Sequence, residues 1–201
     1  MSTPPSTAET SRPGLRERKK ARTRAAIREH AFRLFREQGY DATTVEQIAE
    51  AAEVSPSTFF RYFPTKEDVV LQDGMDELWA AAVRAQPAEL SPLAALRAAV
   101  PAAFAGLSPE QLEILKESTE LSMSVPAVRV RALDEFGRTI TVIAGVVAER
   151  AGREPSDPAV ITLAGAVVGV AMTSWFATGD LEEMFTRFDA ALALLEAGLP
   201  L

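Results

Sequence analysis

The sequence predicts an all-α protein of about nine helices, and three observations carry that prediction. A capping residue followed directly by proline, the signature of a helix start, recurs at Ser55-Pro56, Ser91-Pro92, Ser108-Pro109 and Asp157-Pro158. Between these starts, apolar residues return every three or four positions. No stretch alternates apolar and polar residues as a half-buried strand would. A chain of 201 residues is long enough for one or two domains with a real core.

Residues 1–14, MSTPPSTAETSRPG, are rich in Pro, Ser and Thr and are expected to form a disordered arm. The first helix is expected from Leu15 to Gln38, stopped by Gly39. Ile27, Ala31, Leu34 and Phe35 share its apolar face, which leaves Arg24, Arg28, Arg33 and Arg36 outside. Thr44 caps the second helix and Gln47 completes a capping box, with Val45, Ile48, Ala49 and Ala52 on the buried side. Ser55 and Pro56 open a third helix that closes near Phe63, because Pro64 disfavours helical geometry in the residue before it. Thr65 and Asp68 form another capping box, for a helix running to about Ala85. Ser91-Pro92 and Ser108-Pro109 begin two more, and Pro126 begins a long helix lasting to Gly152. Asp157-Pro158 opens one that ends near Gly179, and Asp180 caps a last helix to Ala197.

Charge divides the chain. Net charge is −7, yet residues 1–70 carry twelve Lys/Arg against ten Asp/Glu, and residues 71–201 carry nine against eighteen. Residues 16–36 alone hold nine basic side chains and two acidic ones, Glu17 and Glu29. Such a patch attracts phosphates even on an acidic molecule, because salt screens charges beyond roughly 8–10 Å. The absence of Cys excludes disulfides and thiolate metal sites. His30, the single histidine, leaves little scope for a His-based metal site or general base, and no cofactor is expected. No apolar stretch opens the chain, so a cytoplasmic protein is expected.

The segment TVEQIAEAAEVSPSTFFRYFPTKED, Thr44 to Asp68, places two short helices around a tight turn directly after the basic run. That is the pattern of a helix-turn-helix, whose second helix enters the major groove of DNA. Val54, Phe59 and Phe63 would pack inward on Ile48 and Ala49. Ser55, Pro56, Ser57, Thr58, Phe60, Arg61 and Tyr62 then remain for the groove and its walls. Ser and Thr bond to bases or phosphates and Arg reaches guanine, whereas Tyr62 and Lys66 suit phosphates, which position without reading sequence. Thr43 and Thr44 open the second helix, where hydroxyls and free N–H groups hold a phosphate or simply cap the helix. Arg16, Arg18, Lys19 and Lys20 either follow the backbone and minor groove or add nonspecific affinity. The expected partner is a double-stranded DNA operator.

Ala159 to Thr178 is about twenty residues without a charge and contains Gly165 and Gly169. The length suits a bilayer, but the flanks are acidic and no Lys/Arg cluster sets an orientation. A helix buried between the core and a second copy of the chain is the expectation, with no membrane involved. Phe185, Phe188, Leu192 and Leu195 form an apolar stripe on the last helix that is expected to join this interface.

The basic first helix, the capped second and a third ending in TFFRYFPTKEDVV resemble the TetR family of bacterial repressors over about Arg18 to Leu71. Where Tyr is common in that family, this chain has Phe60. The resemblance implies a homodimer with a helix-turn-helix domain over 15–70 and a ligand-binding and dimerisation bundle over 71–201. It further implies repression relieved by a small effector, acyl-CoA-like in the subgroup that the N-terminal half resembles, and the low polarity of the later helices suggests an apolar or amphipathic one. Candidates to line the effector pocket are Trp79, Phe104, Leu121, Met123, Phe136, Met172, Trp175 and Phe176, although such residues in any bundle are often core. Arg129 and Arg131 would meet an anionic group or form surface salt bridges. A helical-bundle enzyme is the rival reading, yet no Glu-x-x-His pair, Gly-rich phosphate loop or serine elbow is visible. A membrane-associated adaptor using residues 159–178 is the other.

Overall fold

The computed structural model describes residues 14–71, 74–178 and 180–200. Except for Gly14, the arm expected over 1–14 lies outside the described residues. Among the described residues there are ten helices and no strand: α1 (Leu15–Gln38), α2 (Val45–Ala51), α3 (Pro56–Tyr62), α4 (Lys66–Leu71), α5 (Met75–Arg84), α6 (Pro92–Ala105), α7 (Pro109–Ser124), α8 (Pro126–Ala151), α9 (Pro158–Ala177) and α10 (Leu181–Glu196). The chain divides into two compact units, Met1–Pro64 and Thr65–Leu201. That division falls six residues before the expected boundary, because α4 packs on α7 and α8.

In the first unit, α1 packs on α2 and α2 on α3. Ile27, Phe32, Ile48, Phe59 and Phe63 are fully buried and form its core. Phe32, which the periodicity of α1 left out, meets Phe35 edge-on at 5.7 Å, and Phe35 meets Tyr40 at 5.0 Å. Gly39 carries the chain out of α1 at φ +88°, where a side chain would be strained. The capping box of α2 forms as its sequence requires, with Thr44 N–H donating to Gln47 Oε1 at 2.9 Å and Gln47 N–H to Thr44 Oγ1 at 3.2 Å. Gln38 at the end of α1 donates to the same Gln47 oxygen at 2.9 Å, which ties the two helices together at the turn.

The second unit has its core between α5, α6, α8, α9 and α10, centred on Leu96, Ile143, Val167 and Leu192, each at most 1% exposed. Each such side chain contributes about 1.5–3 kcal/mol when buried. Alanines at 95, 99, 144, 148 and 164 fill the contacts between helices, where small residues permit close approach. Arginines clamp the periphery. Arg97 on α6 donates to Asp189 on α10 at 2.7 Å, Arg84 on α5 to Glu149 on α8 at 2.7 Å, and Arg150 to the carbonyls of Gln86, Pro87 and Leu90.

Two expectations need correction. The helix expected from Thr65 to Ala85 is divided between α4 and α5, with Gly74 in the left-handed region at φ +79°. A continuous helix forbids that conformation, and glycine is the residue that adopts it at least cost. The stripe of α10 expected to face a second copy instead faces inward. Leu192 is fully buried, Phe188 and Leu195 pack on the core, and Phe185 lines a cavity.

Candidate nucleic-acid interface and effector cavity

In the first unit, Ser55 and Pro56 start α3 as their order implies. Ser55 Oγ accepts the Thr58 N–H at 3.1 Å and lies 2.9 Å from Thr58 Oγ1 and 3.4 Å from Ser57 Oγ. Buried Phe59 fixes which side of this seven-residue helix faces out. Ser55, Pro56, Ser57, Phe60 and Arg61 are exposed, and Thr58 and Tyr62 are half-buried. Phe60 is 50% exposed, an unusual position for a large apolar ring. The Arg61 guanidinium lies over the Tyr62 ring, 5.5 Å from its centroid.

Arg61 and Tyr62 line one side of a cleft of about 920 Å³ whose other side is Arg16, Lys19, Lys20 and Thr23 of α1. Arg18 is exposed on the same helix. The three- and four-residue spacing of 16, 19, 20 and 23 shows that they share a face, so Thr23 was legible as a partner of the basic run. Thr44 is exposed at its cap. Thr43 departs from expectation: it is 1% exposed, its hydroxyl donates to Gly39 O at 2.8 Å, and its N–H donates to Tyr40 O at 3.2 Å. Its donors serve the α1–α2 turn and are withdrawn from a phosphate. Lys66 is the half-buried first residue of α4, in the second unit.

The second unit contains two adjacent chambers that share lining residues. The smaller, about 170 Å³, is lined by Asp76, Trp79, Phe104, Phe185 and Phe188, among others. The larger, about 230 Å³, shares Met75, Phe104 and Phe185 with it and extends past Leu115, Ser118, Ala171 and Trp175. Phe104 and Phe185 form the shared wall, their centroids 3.9 Å apart. The Nε1 atoms of Trp79 and Trp175 are buried without a hydrogen-bond partner, two donors left over in an apolar lining. Ser118 donates from the wall to the Val70 carbonyl of α4 at 2.6 Å. Burial pushes the Asp76 carboxyl above its ordinary value, against the weaker effect of the Thr139 hydroxyl.

Of the expected pocket residues, Trp79, Phe104 and Trp175 meet in these chambers. Leu121, Met123, Arg129, Phe136, Met172 and Phe176 are not part of their lining. Phe136 instead supports Trp175 edge-on at 5.0 Å, Phe176 stacks on Trp175 at 5.9 Å, and Met172 packs on the core. Arg129 donates to the Met123 carbonyl, and Arg131 forms ion pairs with Asp68 and Glu135 at 2.9 Å each. Both arginines are thus engaged by the protein itself. Phe185 and Phe188 were missed because their stripe on α10 reads equally well as an interface.

Residues 27–72 match the family described as bacterial regulatory proteins, tetR family, and residues 90–200 match the MftR C-terminal domain. The chain is 36% identical over 209 residues to the HTH-type transcriptional regulator TcmR of Streptomyces glaucescens, covering 97% of this chain and 92% of that protein. The chain belongs to the TetR family.

The HTH-type transcriptional regulator RutR of Escherichia coli (strain K12) is another relative, 37% identical over 87 residues, 42% of this chain and 41% of its own length. Among solved TetR structures, Thermus thermophilus FadR in complex with lauroyl-CoA superposes with a TM-score of 0.55 at 23% identity, covering 89% of this chain and 95% of that one. A TetR regulator from Rhodococcus sp. RHA1 gives 0.53 at 20% identity, covering 90% and 98%. At these identities the likeness is one of fold. The TetR family comprises DNA-binding transcriptional regulators and not enzymes, and this chain is a transcriptional regulator with an N-terminal helix-turn-helix.

Proposed function

We propose that this chain is a ligand-responsive repressor. It binds a palindromic double-stranded operator as a homodimer in the cytoplasm, where bacterial chromosomal DNA lies, and a small apolar or amphipathic effector releases it. The observation that carries the DNA half is the outward face of α3, Ser57, Phe60 and Arg61, beside a cleft edged by Arg16, Lys19 and Lys20. Arg61, Ser57 and Thr58 read base edges, and Arg18, Lys19, Thr44, Tyr62 and Lys66 hold phosphates.

The aromatic chambers of the second unit support the effector half. No Lys or Arg is among their lining residues, which favours an effector without the phosphates of an acyl-CoA. Ser118 and Leu71 connect the chamber wall to α4, so an effector that prefers one position of α4 shifts its population.

The unburied face of α9 supports the homodimer. This helix is long and apolar enough to cross a membrane, yet it sits in a transcriptional regulator and only 28% of its most apolar stretch is buried in one chain. Ile161, Gly165 and Gly169 recur every four residues on one face, and a Cβ at either glycine would meet nothing within 4 Å. A second copy fills that space.

Selection of bound sequences from a random DNA pool, followed by affinity measurements at rising salt, tests the reading. Enrichment of a palindrome with a steep fall in affinity with salt is the expected result. A bound sequence without two-fold symmetry would overturn the homodimeric operator.

A further inference from the structure

One carboxylate, Asp76, stands among the lining residues of the smaller chamber. Asp76 accepts from Thr139 Oγ1 at 3.2 and 3.3 Å, but that hydroxyl also lies 3.2 Å from the Glu135 carbonyl and has one proton for both. Among the described residues no Lys or Arg forms an ion pair with Asp76. Asp68, Glu149 and Asp189 each hold an arginine at 2.7–2.9 Å. Arg138, whose charge reaches Asp76, is itself paired with Glu135 at 3.1 Å. Burial accordingly raises the Asp76 carboxyl, while their arginines lower Glu149 and Asp189.

Trp79, Phe104, Phe185 and Phe188 line the same chamber as this carboxylate. The face of an aromatic ring is the negative end of its quadrupole, and it attracts cations more strongly where water is excluded. A chamber whose lining combines a half-buried carboxylate with four aromatic side chains is one that a positive charge completes. A neutral ligand would leave Asp76 desolvated and uncompensated, and an anion would be repelled.

We propose that the smaller chamber recognises an organic ammonium cation. Asp76 and the rings of Trp79, Phe104, Phe185 and Phe188 hold the ammonium group, and the apolar remainder extends into the larger chamber beside Leu115 and Trp175. The proposal rests on the ligand-responsive reading given above and specifies its effector class.

The chain has two tryptophans and both line the chambers, so their emission reports occupancy directly. The full chain is titrated with decyltrimethylammonium, decanol and decanoate at submicellar concentration, with release of operator DNA as a second readout. The cation should saturate at a concentration at least tenfold lower than decanol, with decanoate the weakest. Asp76→Asn should remove that preference and leave decanol binding within about twofold of the parent. Phe185→Leu, which retains an apolar side chain without the ring, should weaken the cation more than decanol, so the test does not depend on one variant. Equal binding of decanol or decanoate in the parent, or a preference that survives Asp76→Asn, would overturn the proposal. DNA release by decanol or decanoate but not by the cation would sink the cation site and leave the ligand-responsive reading standing. Cation-selective binding without DNA release would do the reverse.

Discussion

Arg131 on α8 reaches the fully buried carboxylate of Asp68 on α4, its Nη2 2.9 Å from Oδ1, while Oδ2 accepts the N–H and the hydroxyl of Thr65 at 2.9 Å each. The capping box that begins α4 thereby also anchors it to α8. Arg131→Met leaves that carboxylate buried without its arginine, and a loss of about 3 kcal/mol is expected. The loss should appear as a lower urea midpoint at unchanged slope. Adding Asp68→Asn should recover part of it. A double variant as weak as the sum of the two singles would mean that Arg131 acts through packing alone.

The exposed Phe60 ring makes a gain-of-binding test possible. Phe60→Tyr adds a hydroxyl on the outward face of α3 and should strengthen operator binding by about threefold to tenfold, in line with one added hydrogen bond. Preference among sequences should not change, because a phosphate contact carries no base information.

Arg61→Ala and Lys66→Ala should separate reading from holding. The first should cost about 1–3 kcal/mol and relax preference at one base position, and the second should weaken all sequences alike and reduce the salt slope by about one. Binding to the selected operator and to scrambled DNA at several salt concentrations gives both quantities. A uniform loss from both changes would contradict the division of roles.

Asp76 predicts a pH signature in the ligand-free protein. Because burial raises its carboxyl above the ordinary value of 3.8, the folded state favours the protonated form. The associated stability is present at low pH and is lost as pH rises through the raised value. Asp76→Asn should therefore raise the melting temperature at neutral pH, with the gain vanishing as pH falls below the ordinary value. Glu77 and Arg138 also act on Asp76, in opposite directions, so the comparison is best made at one ionic strength. A gain that persists at pH 3 would point to packing.

Gly169 tests self-association without touching the core. In one chain its surroundings are open, so Gly169→Arg should leave helical content unchanged. Light scattering should nevertheless give a monomer where the parent gives a dimer, and operator affinity should fall at least tenfold. A dimeric arginine variant would exclude this face of α9.

Helix starts were legible because their signals are local. The caps Thr44, Ser55, Ser108 and Asp180 all bond within three residues of themselves, so sequence neighbours suffice to identify them. The outward residues of α3 were legible for a related reason, since Phe59 and Phe63 mark its inner side. Gly74 was missed because apolar residues continue on both sides of it and the pattern reads through the break. Thr43 was missed because its position at a helix start suggests an outward hydroxyl, whereas the return of the chain toward Gly39 turns it inward. The pocket was legible only in part. Lining a cavity depends on which of several apolar faces meets a gap, and the same spacing that puts Phe136 behind Trp175 would have suited it for the lining.

Helix α10 has two working sides. Phe185 and Phe188 form chamber wall, and Leu194, on the side of the helix opposite Phe185, stands 52% exposed. If that exposed side meets the second copy proposed to cover α9, cavity wall and subunit contact share one helix and the two equilibria are linked, and linkage is reciprocal. Dilution of the protein would then change its affinity for the effector, and the effector would change the concentration at which the subunits separate. The cell could thus tune the response through the amount of regulator it makes.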